Sequence, residues 1–149
     1  MIILQTDGVS KDNPGPAAFA FIIKDLEGIV ITGGGGRLGE QSNNYAEYMA
    51  VVAGLKESLR LGFTGITVKT DSMMMIKHVT RGLKIESISL KRLVRKIQDL
   101  IHEVKEKGGV VKFVWISRLE NQELDSLANR VLIDGIDNVR REEKWKTRN

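Results

Sequence analysis

The sequence predicts an α/β protein built on a mixed five-stranded sheet, three antiparallel strands followed by two parallel ones, with helices on both faces. Three observations lead there. Three β-rich runs linked by short turns come first in the chain. Helix-period and strand-period segments then alternate, and that alternation makes parallel neighbours through helical crossovers. Finally, 149 residues with 42% hydrophobic side chains suit one domain with a substantial core.

Residues 2–7 form the first expected strand, stopped by the Gly, Asn and Pro cluster of residues 8–16. Residues 18–23 and 29–34 form a hairpin across Lys24, Asp25, Leu26, Glu27 and Gly28. The four glycines at 33–36 are expected to mark a ragged strand end or a close backbone approach. A helix is expected over 44–61, because Ala46, Met49, Ala50, Ala53 and Leu55 recur at threes and fours. Residues 65–70 read as the fourth strand and 72–81 as a short helix stopped by Gly82. The clearest helix spans 89–107, where Leu90, Leu93, Val94, Ile97, Leu100, Ile101 and Val104 make one stripe. Residues 110–116 are apolar enough to predict a strand buried on both faces, and 121–133 predict the last helix. A domain over 1–138 and a basic tail over 139–149 follow, the tail carrying Arg140, Arg141, Lys144, Trp145, Lys146 and Arg148.

Composition removes several classes of chemistry. Without cysteine there is no disulfide framework, thiolate zinc site or thiol nucleophile. Two histidines are too few for a Cys/His metal site, so a bound metal would be held by oxygen. The longest apolar runs, such as 17–23, fall far short of the ~20 residues that span a bilayer. The N-terminus lacks a basic region before its apolar run, so no signal peptide, no membrane association and a cytoplasmic location are expected. The net charge of +4 is unevenly spread: residues 1–55 carry three basic against six acidic side chains, and residues 56–107 carry twelve against six. An acidic third beside a basic middle suits a cation site next to a polyanion-binding surface.

Four carboxylates are candidates for that site. Asp7 and Asp71 end strands that the topology makes neighbours, while Glu47 and Asp125 lie at helix starts. Each has an ordinary alternative: a turn residue for Asp7, a capping box with Asn44 for Glu47, an N-cap for Asp71, and a helix-dipole partner for Asp125. Together they would place −4 at one sheet edge, which two divalent cations neutralise. Such a cation pair is the device for in-line displacement at a phosphodiester.

The motifs Thr6-Asp7-Gly8, Asn13-Pro14-Gly15-Pro16, Ser42-Asn43-Asn44 before Ala46-Glu47, Thr70-Asp71-Ser72, and Trp115 with Arg118, Asn121 and Asp125 resemble the type 1 ribonucleases H. They span nearly the whole domain, in a compact form without the basic protrusion. The resemblance implies a ribonuclease H-like fold and hydrolysis of the RNA strand of RNA/DNA hybrids, leaving 5′-phosphate and 3′-hydroxyl ends. It implies two Mg²⁺ ions, with Mn²⁺ as substitute. Asp7 would hold both ions, Asp125 the one on the nucleophile side, and Glu47 and Asp71 the one on the leaving-group side. By the same resemblance Glu47 and the backbone near Gly8 and Ser10 would read the 2′-hydroxyl. Asn13, Asn43 and Asn44 would reach the minor groove, and Ser42 would seat a DNA phosphate.

The chain also departs from the family pattern. Met73 stands where many members carry Gln, and Met74 and Met75 read as core filler. Residues 82–88 link directly to the long helix, so Lys84, Lys91, Arg92, Arg95 and Lys96 are left to attract the backbone. No histidine precedes the last Asp; His78 and His102 read as helix surface, and Arg118 becomes the candidate for the cleaved phosphate. A monomer is expected. Two other readings keep the fold: cleavage extended to double-stranded RNA, and a non-catalytic module that binds hybrid or RNA.

Overall fold

The computed structural model describes residues 1–135, and the predicted basic tail lies outside the described residues. Nine elements follow in order: β1 (Ile2–Ser10), β2 (Gly15–Lys24), β3 (Val30–Gln41), α1 (Asn43–Arg60), β4 (Gly65–Thr70), α2 (Met73–Arg81), α3 (Ile88–Glu106), β5 (Val110–Trp115) and α4 (Gln122–Asp134). The sheet order is β3-β2-β1-β4-β5. β1 runs antiparallel to β2 and parallel to β4, and β4 runs parallel to β5. This is the predicted mixed sheet, and it places β1 at the centre.

Helices cover both faces. On one, Ile2, Leu4 and Ile23 pack with Tyr48, Val51 and Leu55 of α1, Met75 of α2, and Leu93, Val94 and Ile97 of α3. On the other, Ala18, Ala20 and Ile22 of β2 meet Leu124, Leu127, Ala128 and Val131 of α4. No helix among the described residues is long and apolar enough to cross a membrane.

Several local expectations change. The glycines of 33–36 do not fray β3, which continues to Gln41. A Cβ at Gly34 would stand 2.6 Å from the Phe21 ring, so absence of a side chain here allows close packing inside a strand. The fifth strand is an edge, not a doubly buried strand. Because α4 packs over β1, β2 and β3, Val110 and Val114 remain 40% and 41% exposed. Met75 is buried, yet Met74 is exposed. His78, expected at the surface, is buried and lies 2.7 Å through Nδ1 from the Tyr48 hydroxyl; His102 is exposed and pairs with Glu106.

Helix starts matter most for function. Ser42, Ser72 and Ser87 cap α1, α2 and α3, their hydroxyls accepting from the N–H groups of Tyr45, Met75 and Leu90. The capping box of Asn44 with Glu47 and the N-cap at Asp71 are therefore not formed. Serine supplies the acceptor that each helix needs, which releases both carboxylates for other work.

Candidate active site

Asp7 points into the molecule from the central strand and is only 6% exposed. Its Oδ1 accepts a hydrogen bond from the N–H of Gly8 at 2.9 Å. Gly8 has no room for a side chain: a Cβ there would stand 2.2 Å from the carbonyl carbon of Ala46 and 2.3 Å from the nitrogen of Glu47. β1 and the first turn of α1 thus touch backbone to backbone, and Glu47 arrives beside Asp7 as a result.

Asp71 follows β4, the parallel neighbour of β1. Asn121, fully buried, fixes it from the start of α4. Its Nδ2 donates to Asp71 Oδ2 at 3.2 Å and to the Thr6 carbonyl at 2.9 Å, while its Oδ1 accepts from Gln5 Nε2 at 2.8 Å. The Trp115 indole N–H reaches the Asp71 carbonyl at 3.2 Å. Asn121 entered the sequence reading only as part of a motif; the usable signal was its position one helical turn before Asp125.

Ligand oxygens of Asp7, Glu47 and Asp71 lie within 4.8 Å of one another. Asp125 stands apart from this tight group but lines the same cleft, of about 390 Å³, together with Gly8, Asn43 and Arg118. Ser10, Asn13, Ser42 and Asn44 lie outside that lining. The Ser10 hydroxyl donates to the Gln41 carbonyl at 2.6 Å, which leaves its backbone for any ligand. The Ser42 oxygen already accepts the capping bond and keeps only its O–H to give. Asn13 accepts from the N–H of Asn43, and Asn44 is exposed.

The electrostatics follow from crowding acids in a partly dry site. Burial, then the Asp71 charge, push the Asp7 carboxyl up to about 8, with Glu47 and Asp125 adding to the rise and the Gly8 hydrogen bond opposing it. Burial and Asp71 likewise push Glu47 up to about 7, against hydrogen bonding from Ser72 and Asn43 and the nearby Arg118 guanidinium. Without a cation the cluster resists ionisation. An all-oxygen set of this size fits Mg²⁺ or Mn²⁺, which take few carboxylates and retain sites for water and phosphate oxygen.

Comparisons agree with this architecture. A family described as "Reverse transcriptase-like" matches residues 5–131. The chain is similar to a protein named "Ribonuclease HI" from Halobacterium salinarum, 30% identical over 128 residues that cover 86% of this chain and 62% of that protein. The chain thus spans less than two thirds of that relative. It is also similar to "Ribonuclease H" from Marinobacter nauticus, 30% identical and covering 87% of this chain and 92% of that one. Among solved structures, LC11-RNase H1, determined in complex with RNA/DNA hybrid, superposes with a TM-score of 0.80 at 30% identity, over 87% of this chain and 95% of that chain.

Proposed function

The chain belongs to the ribonuclease H family, and from that premise we propose that it hydrolyses the RNA strand of RNA/DNA hybrids with two divalent cations, Mg²⁺ or Mn²⁺. The observation that carries the reading is the convergence of Asp7 from within β1, Glu47 from the second turn of α1 and Asp71 just after β4, with ligand oxygens within 4.8 Å of one another. A cation pair held there would supply an activated water and charge neutralisation at the leaving oxygen, the chemistry that would leave 5′-phosphate and 3′-hydroxyl ends.

The residues divide the remaining work. Asp7, central and least exposed of the three, would help to hold both cations. Glu47 and Asp71 would hold the one on the leaving-group side, and Asp125, which lines the cleft from α4, the one on the nucleophile side. The low exposure of Asp7 limits water around the reacting phosphate, which strengthens each charge contact. Glu47 with the backbone of Gly8 and Ser10 reads the 2′-hydroxyl, the group that distinguishes RNA from DNA. Asn13, Asn43 and Asn44 face the minor groove, and the free O–H of Ser42 suits a phosphate acceptor. Lys91, Arg92, Arg95 and Lys96 lie exposed along α3 and attract the backbone without reading sequence.

The test sets labelled hybrid, double-stranded RNA and single-stranded RNA against the protein and its Asp71→Asn variant, with and without Mg²⁺. Hybrid cleavage is expected only with the cation, and reduced about 100-fold or more in the variant. Metal-independent cleavage or full activity of Asp71→Asn rejects the reading, and cleavage of double-stranded RNA widens it. Binding without cleavage under Mg²⁺ and Mn²⁺ favours a binding module.

Arg118 lines the cleft from the loop after β5. It contacts the cleaved phosphate in this reading, so Arg118→Ala should lower kcat about 10-fold at saturating Mg²⁺. An unchanged kcat removes Arg118 from the machinery.

A further inference from the structure

Two of the clustered carboxylates are each held by an asparagine amide, Asp71 by Asn121 and Glu47 by Asn43. The second arrangement reaches beyond the cleft. Asn43 Nδ2 donates to Glu47 Oε1 at 3.1 Å, one turn along α1. The backbone N–H of Asn43 belongs to the first turn, where a helix has no internal acceptor to offer, and Asn13 Oδ1 accepts it at 2.8 Å.

Asn13 is presented by the turn between β1 and β2. Asp12 and Asn13 both have positive φ, 67° and 23°, a conformation that short polar side chains tolerate better than most. A backbone bond from the Lys11 N–H to the Pro16 carbonyl, 2.9 Å, closes that turn. Continuous contacts therefore lead from an exposed turn, through the start of α1, to a carboxylate of the cation cluster.

We propose that Asn43 is a positioning residue for Glu47, set in place by Asn13, and that this chain of contacts couples hybrid engagement to cation binding. The inference rests on the nuclease reading of the cleft. An asparagine amide offers two N–H donors and a carbonyl with two lone pairs. Glu47 uses one N–H, so the other N–H and Oδ1 stay available on a residue that lines the cleft. Asn43 can meet the edge of a nucleic acid groove without releasing Glu47.

Asn43 and Ser72 both hydrogen-bond the Glu47 carboxylate, and such outer partners fix its orientation toward a cation as they do at metal centres. Nucleic acid that immobilises Asn13 or Asn43 narrows the freedom of Glu47 before the cation arrives. Linkage then requires the cation to raise hybrid affinity by the same factor.

The deciding measurement is Mn²⁺ titration calorimetry on the full chain without nucleic acid, paired with melting curves in EDTA to verify folding. Asn43→Ala should weaken Mn²⁺ binding about 10-fold. Asn13→Ala should weaken it by roughly 3-fold, since it acts one contact further away. Asn13→Asp keeps the acceptor for the Asn43 N–H and should restore wild-type affinity. Lys56→Ala, exposed further along the same helix, should leave the affinity unchanged.

Unchanged Mn²⁺ affinity in folded Asn43→Ala, with a raised KM for hybrid, overturns the inference and leaves the nuclease reading standing. Asn13→Asp binding as weakly as Asn13→Ala overturns the part assigned to Asn13. Absence of Mn²⁺ binding by the wild-type protein overturns both readings together.

Discussion

Asp7→Asn should abolish hybrid cleavage, by about 1,000-fold or more, while making the metal-free protein more stable at pH 8. The two effects share one cause. Asp7 is the most buried carboxylate of the cluster, and burial with the neighbouring Asp71 raises its pKa to about 8. At that pH roughly half of the molecules carry a charge that neither water nor a cation compensates. Asparagine keeps an Oδ1 acceptor for the Gly8 N–H and carries no charge. A gain of about 1–2 kcal/mol, roughly 3–8 °C in melting temperature, is expected in EDTA. Circular dichroism melting and a hybrid cleavage assay on one preparation check both halves. A less stable variant at pH 8, or one that still cleaves, contradicts the assignment of Asp7 to the cation pair.

The second large effect is the pH dependence of stability and its reversal by cation. Asp7 and Glu47 are raised to about 8 and about 7 from ordinary values of 3.8 and 4.5. Between those limits the folded protein binds more protons than the unfolded chain, so stability is lost as pH rises through the folded values. His78 acts in the opposite sense at lower pH, because burial lowers its pKa from 6.5 and the folded state then gains as the ring deprotonates. The carboxylates therefore dominate above about pH 6.5, where His78 has only the upper half of its unfolded-chain titration left to contribute. In EDTA the unfolding free energy should fall from pH 6.5 to 8.5 by on the order of a few kcal/mol, and the melting temperature should fall with it.

Mg²⁺ should remove most of this fall. It binds only the folded cluster and competes with the protons there, so its stabilisation is larger at pH 8.5 than at 6.5. At 100 times the Kd it contributes about 2.7 kcal/mol. Scanning calorimetry at the two pH values, with and without Mg²⁺, gives the comparison. A melting temperature that climbs with pH in EDTA, or an equal Mg²⁺ effect at both pH values, contradicts a cation-neutralised cluster.

What the sequence made legible were properties carried by period and order. The hairpin over Asp25 and Gly28, the stripe from Leu90 to Val104, and the helical crossovers put Asp7 and Asp71 on neighbouring strands; the expected end of the first strand at Asp7 was wrong, because pairing with β2 carries β1 on to Ser10. Features that depend on who lies opposite were not legible. An apolar run such as Val110, Val111, Phe113 and Val114 looks the same in a central strand and at an edge, and only the position of α4 leaves Val110 and Val114 uncovered. His78 was misplaced because the partner that buries it, Tyr48, comes from a different helix. The caps shifted by one or two residues because Ser, Asn and Asp are comparable at that position. Asn121 needed three partners from β1 and the end of β4, which no spacing announces.

The central position of β1 ties the cluster to the kinetics of opening. Ile3 through Gln5 pair with β2 on one edge and β4 on the other, and Asp7 continues the ladder with β2 two residues further on. Amides in such a strand exchange with solvent through openings that approach the global free energy, whereas a helix packed on one face of the sheet, as α4 is, can detach in a smaller event. Asp7 and Asp125 therefore belong to different regimes. Exchange at the β1 amides around Asp7 is expected to need near-global opening, and exchange in α4 around Asp125 a smaller one. On that expectation heat should take Asp125 from the site before it unfolds the sheet.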